Sequence, residues 1–259
     1  MDENNMKVVT IREVTIGEGI PKICVPLIGT TKEAVLEEVT ALQDVPYDLL
    51  EWRVDRFASH GNTEQVLDVL ETMRTMVKAP ILFTIRTQQE GGDAALSVAQ
   101  YCALNLVVAS SGLVDLIDVE VGLNELDAAS LIGEIHNKQC KVVGSHHNYT
   151  STPIEEEIVR KLVEMETVGA DIAKIAVMPQ EMEDVDRLLD TTRVASKACH
   201  CPIVTISMTE LGTVSRIAGE AFGSAMTFGA GSEAAEKGQI DATELSNILQ
   251  AIHKSNTTA

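Results

Sequence analysis

The chain has 259 residues and a formal net charge of -19; 45% of its residues are hydrophobic and only 3% aromatic. That length suits one large α/β domain whose core is built from Leu, Ile, Val, Ala and Met rather than aromatic rings. The acidic balance argues against nucleic acid and anionic membrane surfaces as partners, although a local group of arginines would still admit a small anionic ligand.

The opening segment MDENNMKVVT lacks a basic head followed by an apolar stretch, so no secretory signal is expected. The following VVTIREVTIGEG alternates and carries turn glycines, which predicts a short hairpin. Strand-length apolar runs then alternate with helix-period segments. Strands are expected at Lys22–Gly29, Leu49–Val54, Ile81–Arg86, Val114–Glu120, Val142–His147, Ile172–Met178, Ile203–Met208 and Met226–Phe228. Helices are expected at Lys32–Leu42, Thr63–Val77, Ala94–Ala109, Asp127–Asn137, Pro153–Val168, Glu181–Ala198, Val214–Phe222 and Asp241–His253. Thr152 with Pro153 and Glu155 reads as the start of the fifth helix, and Gly169 as its left-handed stop. Eight such units predict an α/β fold of the (β/α)8 TIM-barrel type, one domain over residues 1–259, with the N-terminal β-hairpin closing its bottom. The most apolar segments are cut by Asp115, Asp118 and Glu120, so no membrane span is expected. The five cysteines are scattered and odd in number, which points to reduced thiols in the cytoplasm. Cys199-His200-Cys201 lacks a second ligand pair, so no metal site is expected.

Barrel strands are covered on both faces, so their charged residues are informative. Alternation places Glu51 and Arg53 on one inward face, Thr84 and Arg86 on the next, then Asp118 and Glu120, then Lys174, then Thr205 and Ser207. Of His146 and His147, at most one can point inward, and periodicity does not choose between them. Lys174 stands in the apolar run IAKIAVM, where a buried ammonium is costly unless it is paired or deprotonated. A barrel lysine with apolar neighbours, a histidine and arginines suits Schiff-base chemistry on a carboxylate-bearing ketone: a lyase or an aldolase.

The segments GEGIPKICVPLIG, EWRVDRF, FTIRTQQEGG, LVDLIDVE, SHHNYTSTP, GADIAKIAVMPQ, SRIAGEAFGSAMTFGA and GQI occur in an order and spacing that resembles the type I 3-dehydroquinase family. The resemblance implies a cofactor-free homodimeric barrel that dehydrates 3-dehydroquinate to 3-dehydroshikimate, in the shikimate pathway of aromatic amino acid biosynthesis. It implies Lys174 as the imine-forming lysine, His147 as general base and then acid, and Glu90 as the carboxylate that orients the histidine. Glu51, Arg53 and Arg86 match substrate-pocket residues. Arg216 matches the arginine for the substrate carboxylate, and Gln239 matches a glutamine on a closing loop. Two departures stand out. Where the family usually reads Ser-Ala-Pro-Gly-Gln-Ile, this chain reads Ala235-Glu236-Lys237-Gly238-Gln239-Ile240. Where it usually reads Ser-Asn-His-Asp-Phe, this chain reads Ser145-His146-His147-Asn148-Tyr149. The alternatives are a class I aldolase, disfavoured because Glu210 in the loop after the seventh strand would repel a phosphate, and a non-catalytic binding barrel.

Overall fold

The parallel strands follow one another around a barrel in chain order, each returning through a helix on the outside. The coordinates are a computed structural model and describe residues 8–231 and 234–257. The tail before Val8 and the loop residues Ser232 and Glu233 lie outside the described residues. The hairpin comprises β1 (Val9–Ile11) and β2 (Val14–Ile16). The barrel strands are β3 (Lys22–Leu27), β4 (Leu49–Arg53), β5 (Ile81–Thr84), β6 (Leu116–Glu120), β7 (Lys141–Asn148), β8 (Ile172–Val177), β9 (Ile203–Ser207) and β10 (Met226–Phe228). The helices are α1 (Lys32–Ala41), α2 (Thr63–Met76), α3 (Val98–Ser111), α4 (Ala128–His136), α5 (Glu155–Thr167), α6 (Met182–Ala198), α7 (Gly219–Phe222) and α8 (Ala242–Thr257).

The sheet runs β10-β3-β4-β5-β6-β7-β8-β9. It nearly closes through the Ile203–Ser224 bridge and the bond from Ala225 N–H to the Ile203 carbonyl, 2.8 Å. Alternation explains two buried layers. Trp52, Phe83, Ile117, Ala173 and Ile175 face outward to the helices, while Leu49, Leu82, Leu116, Ile172 and Met226 fill the barrel interior. Val9, Ile11 and Ile16 of the hairpin pack into that interior layer near the strand starts and plug the bottom. Aspartates beside the strand starts recur as braces: Asp48, Asp115 and Asp171 accept the main-chain N–H groups of Ile23, Ile81 and Val142 at 2.7, 2.9 and 2.9 Å. Each satisfies a main-chain donor at the closed end. Among the described residues, no helix is long and apolar enough to cross a membrane.

Three local expectations are corrected. Thr152 does not cap α5: the cap position is Ile154, without a side-chain bond. The main chain of Thr152 is instead committed to Arg187, and the acidic first turn Glu155–Glu157 complements the helix dipole. The stop is as expected. Gly169 has φ +102°, with Gly169 N–H bonded to Glu166 and Ala170 N–H to Met165, which satisfies the last carbonyls of the helix. The helix expected over Val214–Phe222 is a 3-10 turn, Thr213–Arg216, followed by short α7. There the Ser215 hydroxyl donates to the Gly212 carbonyl at 2.8 Å and accepts the Ser207 amide at 3.0 Å, tying the turn to β9.

The third correction concerns β9. Thr205 and Ser207 point outward, not inward. Thr205 is hydrogen-bonded to Thr192 of α6 at 2.7 Å, while Val204, Ile206 and Met208 take the interior. Thr205 thus finds its partner on a helix rather than in the barrel centre, and Ser207 is held by its main chain, whose amide bonds Ser215 Oγ.

Candidate active site

At the C-terminal ends of the strands lies a cleft of about 470 Å³. It is bounded by Glu51, Arg53, Arg86, His147, Lys174, Arg216 and Gln239, and walled by Ile206, Met208 and Phe228. This is the end at which a (β/α)8 barrel presents its strand termini and loops. Four cationic side chains, Arg53, Arg86, Lys174 and Arg216, line it despite the acidic exterior.

Lys174 projects from the middle of β8 and is 4% exposed. Its Nζ lies 3.6 Å from Glu51 Oε1 of β4, 3.7 Å from Asp118 Oδ2 of β6 and 4.4 Å from the centre of the Phe228 ring. Its immediate neighbours Ala173 and Ile175 face outward, and the lysine meets two carboxylates within the barrel. Asp118 Oδ2 is buried and makes no hydrogen bond, so it stands open toward the amine.

On β7 the strand register decides between the two histidines. Ser145 pairs with Lys174 and His147 with Ala176, so His147 shares the inward face with Ser145 and sits two residues up the barrel from the level of Lys174. That is a rise of about 6.6 Å along the strand toward the open end of the barrel. His147 Nδ1 is 3.0 Å from Glu90 Oε2, while His146 Nδ1 is 2.9 Å from Glu90 Oε1. One carboxylate thus holds both rings. Glu90 lies in a 3-10 turn after β5 and is 2% exposed. Burial acts to raise its pKa, but the two histidine bonds and the Arg86 charge outweigh burial and hold it well below the usual carboxylate range. Burial, reinforced by Arg86, lowers the His147 imidazole to about 3. The ring is therefore neutral. Glu90 accepts from Nδ1–H, and Nε2 carries the free lone pair.

Arg86 is the organiser of this wall. It reaches Asp118 at 3.0 Å, Glu120 at 2.9 Å, Ser145 Oγ at 3.1 Å and Glu90 at 3.4 Å. Burial would lower its pKa, yet Asp118, Glu120 and Glu90 together hold it well above the ordinary value. Arg53 is neutralised by Asp55, with bonds of 2.9 and 3.0 Å. Arg216 differs. It is buried, its Nε has no partner among the described residues, and it donates one long bond, 3.5 Å, to the Phe228 carbonyl. Burial lowers it to about 10, so it remains charged at neutral pH. A buried, weakly partnered guanidinium at the cleft wall is a receptor for an anion. Gln239 Oε1 accepts the amides of Ala235 and Glu236 at 2.8 and 3.3 Å and shapes the turn that covers the cleft.

The chain matches the family model for type I 3-dehydroquinase over residues 23–256. The chain belongs to the type I 3-dehydroquinase family. The 3-dehydroquinate dehydratase of Listeria monocytogenes serotype 4a is 47% identical over 250 residues, covering 96% of this chain and 99% of that protein. A crystal structure of the type I enzyme from Clostridium difficile, with covalently modified comenic acid, superposes with a TM-score of 0.93 at 43% identity, covering 96% of this chain and 99% of that one. The Geobacillus kaustophilus 3-dehydroquinate dehydratase structure gives 0.91 at 36% identity, covering 97% and 99%.

The eight residues to which the family resemblance gives roles come together here. Seven line the cleft, and Glu90 stands directly behind His147. Sequence reasoning missed Asp55, Tyr149 and Glu236. Asp55 follows Arg53 across a 3-10 turn, where strand alternation no longer applies. Tyr149 and Glu236 line the cleft at positions where the family motifs have an apolar residue.

Proposed function

We propose that this chain converts 3-dehydroquinate to 3-dehydroshikimate through an imine on Lys174. The Lys174 amine attacks the substrate ketone, and the carbinolamine loses water to give the protonated imine. This electron sink acidifies the adjacent carbon. His147 Nε2 removes a proton from that carbon, and the electron pair moves into the carbon framework. The same imidazolium then returns its proton to the departing hydroxyl, which leaves as water. A second water hydrolyses the conjugated imine, releasing the enone and the free amine.

The observation that carries this reading is the shared cleft of Lys174 and His147, with Glu90 bonded to the ring nitrogen that faces away from the chemistry. Glu51 and Asp118, with carboxylate oxygens 3.6 and 3.7 Å from the amine, are its nearest proton acceptors before attack. Arg216 receives the substrate carboxylate, and Gln239 holds the covering turn closed, excluding water from the imine. Lys174 itself supplies the electron sink, so the reading includes no cofactor. It also includes the homodimer and cytoplasmic location implied by family membership.

The experiment is an ultraviolet assay for the conjugated enone. Wild-type protein should generate the product absorbance from 3-dehydroquinate, and Lys174→Ala should not. Equal rates from the two would end the imine reading.

A further inference from the structure

Two residues that depart from the family pattern meet at the mouth of the cleft. Tyr149 occupies a position where phenylalanine is usual, and Glu236 one where alanine is usual. Tyr149 OH donates to Glu236 Oε1 at 3.3 Å, and the same oxygen lies 3.9 Å from Arg53 Nη1. Phenylalanine and alanine at these positions would supply neither the phenol nor the carboxylate that these two contacts use. Burial and then the Glu236 charge push the phenol up to about 12, so Tyr149 is a donor at neutral pH.

The covering turn aims this carboxylate. Gln239 fixes the amides of Ala235 and Glu236. Gly238, at φ +78°, lies against the loop after β9, where an added Cβ would stand 2.0 Å from the Thr209 carbonyl oxygen. The turn is thereby seated, and Glu236 lines the cleft beside Arg53 and Arg216. Its charge also opposes the burial-driven lowering of Arg216. A carboxylate of the chain itself thus sits in the field of the cations that would receive an anionic substrate.

We propose that Glu236 and Tyr149 form an internal latch that competes with the substrate carboxylate and sets affinity at the cleft. In the unliganded protein the pair ties the covering turn to the end of β7 and partly neutralises the mouth. An anionic substrate must displace Glu236 from Tyr149 and Arg53 before it seats. Substrates with a second negative charge are excluded most strongly, because that charge would face Glu236. The affinity part of the proposal rests on the 3-dehydroquinate reading; the latch does not.

The test compares wild type, Glu236→Ala, Tyr149→Phe and the double variant. Tyr149→Phe keeps the ring that stacks on His147, 6.4 Å between centres. In the unliganded proteins, hydrogen exchange at the Ala235 and Glu236 amides should be faster in each single variant, and the double variant should be no faster than either. In kinetics with 3-dehydroquinate, each single variant should lower KM by about three- to tenfold, the range of a partly exposed charge-assisted bond. The double variant should again add little, and the gain should shrink at high ionic strength. A rise in KM for Glu236→Ala would make Glu236 a substrate contact and overturn the proposal. Additive effects, or unchanged exchange, would overturn it equally. A wild-type protein that does not turn over 3-dehydroquinate would remove the functional reading, and the exchange comparison would still decide the latch.

Discussion

Glu90 grips His147 twice: its Oε2 accepts both the ring Nδ1–H and the main-chain N–H of the same residue, each at 3.0 Å. The carboxylate therefore fixes the ring relative to its own backbone and commits the tautomer. What remains is a single basic nitrogen, Nε2, directed to the cleft.

This predicts separable steps. His147→Ala should still form the imine, because carbonyl attack requires only Lys174, but turnover should fall by about 10²- to 10⁴-fold. Stopped-flow or mass-spectrometric detection of an accumulating adduct is the check. A variant with near-normal turnover would move the base elsewhere.

The buried neutral ring predicts a pH dependence of stability. Burial first, then Arg86, depress His147 to about 3, whereas an unfolded histidine titrates near about 6.5. Between these values the unfolded chain binds a proton that the folded chain does not. The contribution is thus intact above the unfolded value and is lost as pH falls toward the folded one. By about pH 5 the loss is about 2 kcal/mol. His147→Gln should lack it, so its urea midpoint should decline less than that of wild type between neutral and acid conditions. Parallel declines would show that the ring is not held neutral.

His146 is the second claimant on Glu90, through Oε1 at 2.9 Å. Its bond fixes the roll of the carboxylate, so His146→Ala should lower kcat by about tenfold, in the range for loss of a bond that orients a catalytic group. His146→Asn, which keeps a donor of similar reach, should recover most of that loss. If alanine and asparagine behave alike, the bond does not position Glu90.

The Glu90 turn depends on Gly92. A Cβ there would stand 2.1 Å from the Arg86 carbonyl oxygen, a main-chain atom that cannot yield cheaply. Gly92→Ala should displace Glu90 and depress kcat, while Lys174 still traps as an imine on reduction. Normal kcat would mean that the turn tolerates the shift without moving Glu90.

The barrel was legible because its signals are local: alternating layers, glycine stops and strand-length apolar runs. Glu51, Arg86 and Lys174 could be oriented from alternation because the opposite face of each strand is apolar and packs on the helices. His147 could not, and its choice over His146 rested on resemblance until the pairing with β8 placed it on the inward face. Thr205 and Ser207 misled because alternation defines two faces without naming them, and here α6 offered the polar one a partner in Thr192. Lys174 was legible as a site residue but not in its partners. The run around it says only that the amine must be paired or deprotonated, and its partners, Glu51 and Asp118, come from strands far away in sequence. The contact of Tyr149 with Glu236 spans 87 residues, beyond any periodicity argument.

The most direct measurement is reduction of the protein with borohydride in the presence of 3-dehydroquinate, followed by peptide mapping. The mass of the reduced adduct should fall on Lys174 alone, be absent without substrate, and vanish in Lys174→Ala. An adduct on another lysine, or product formation with no trappable adduct, would contradict an imine at Lys174.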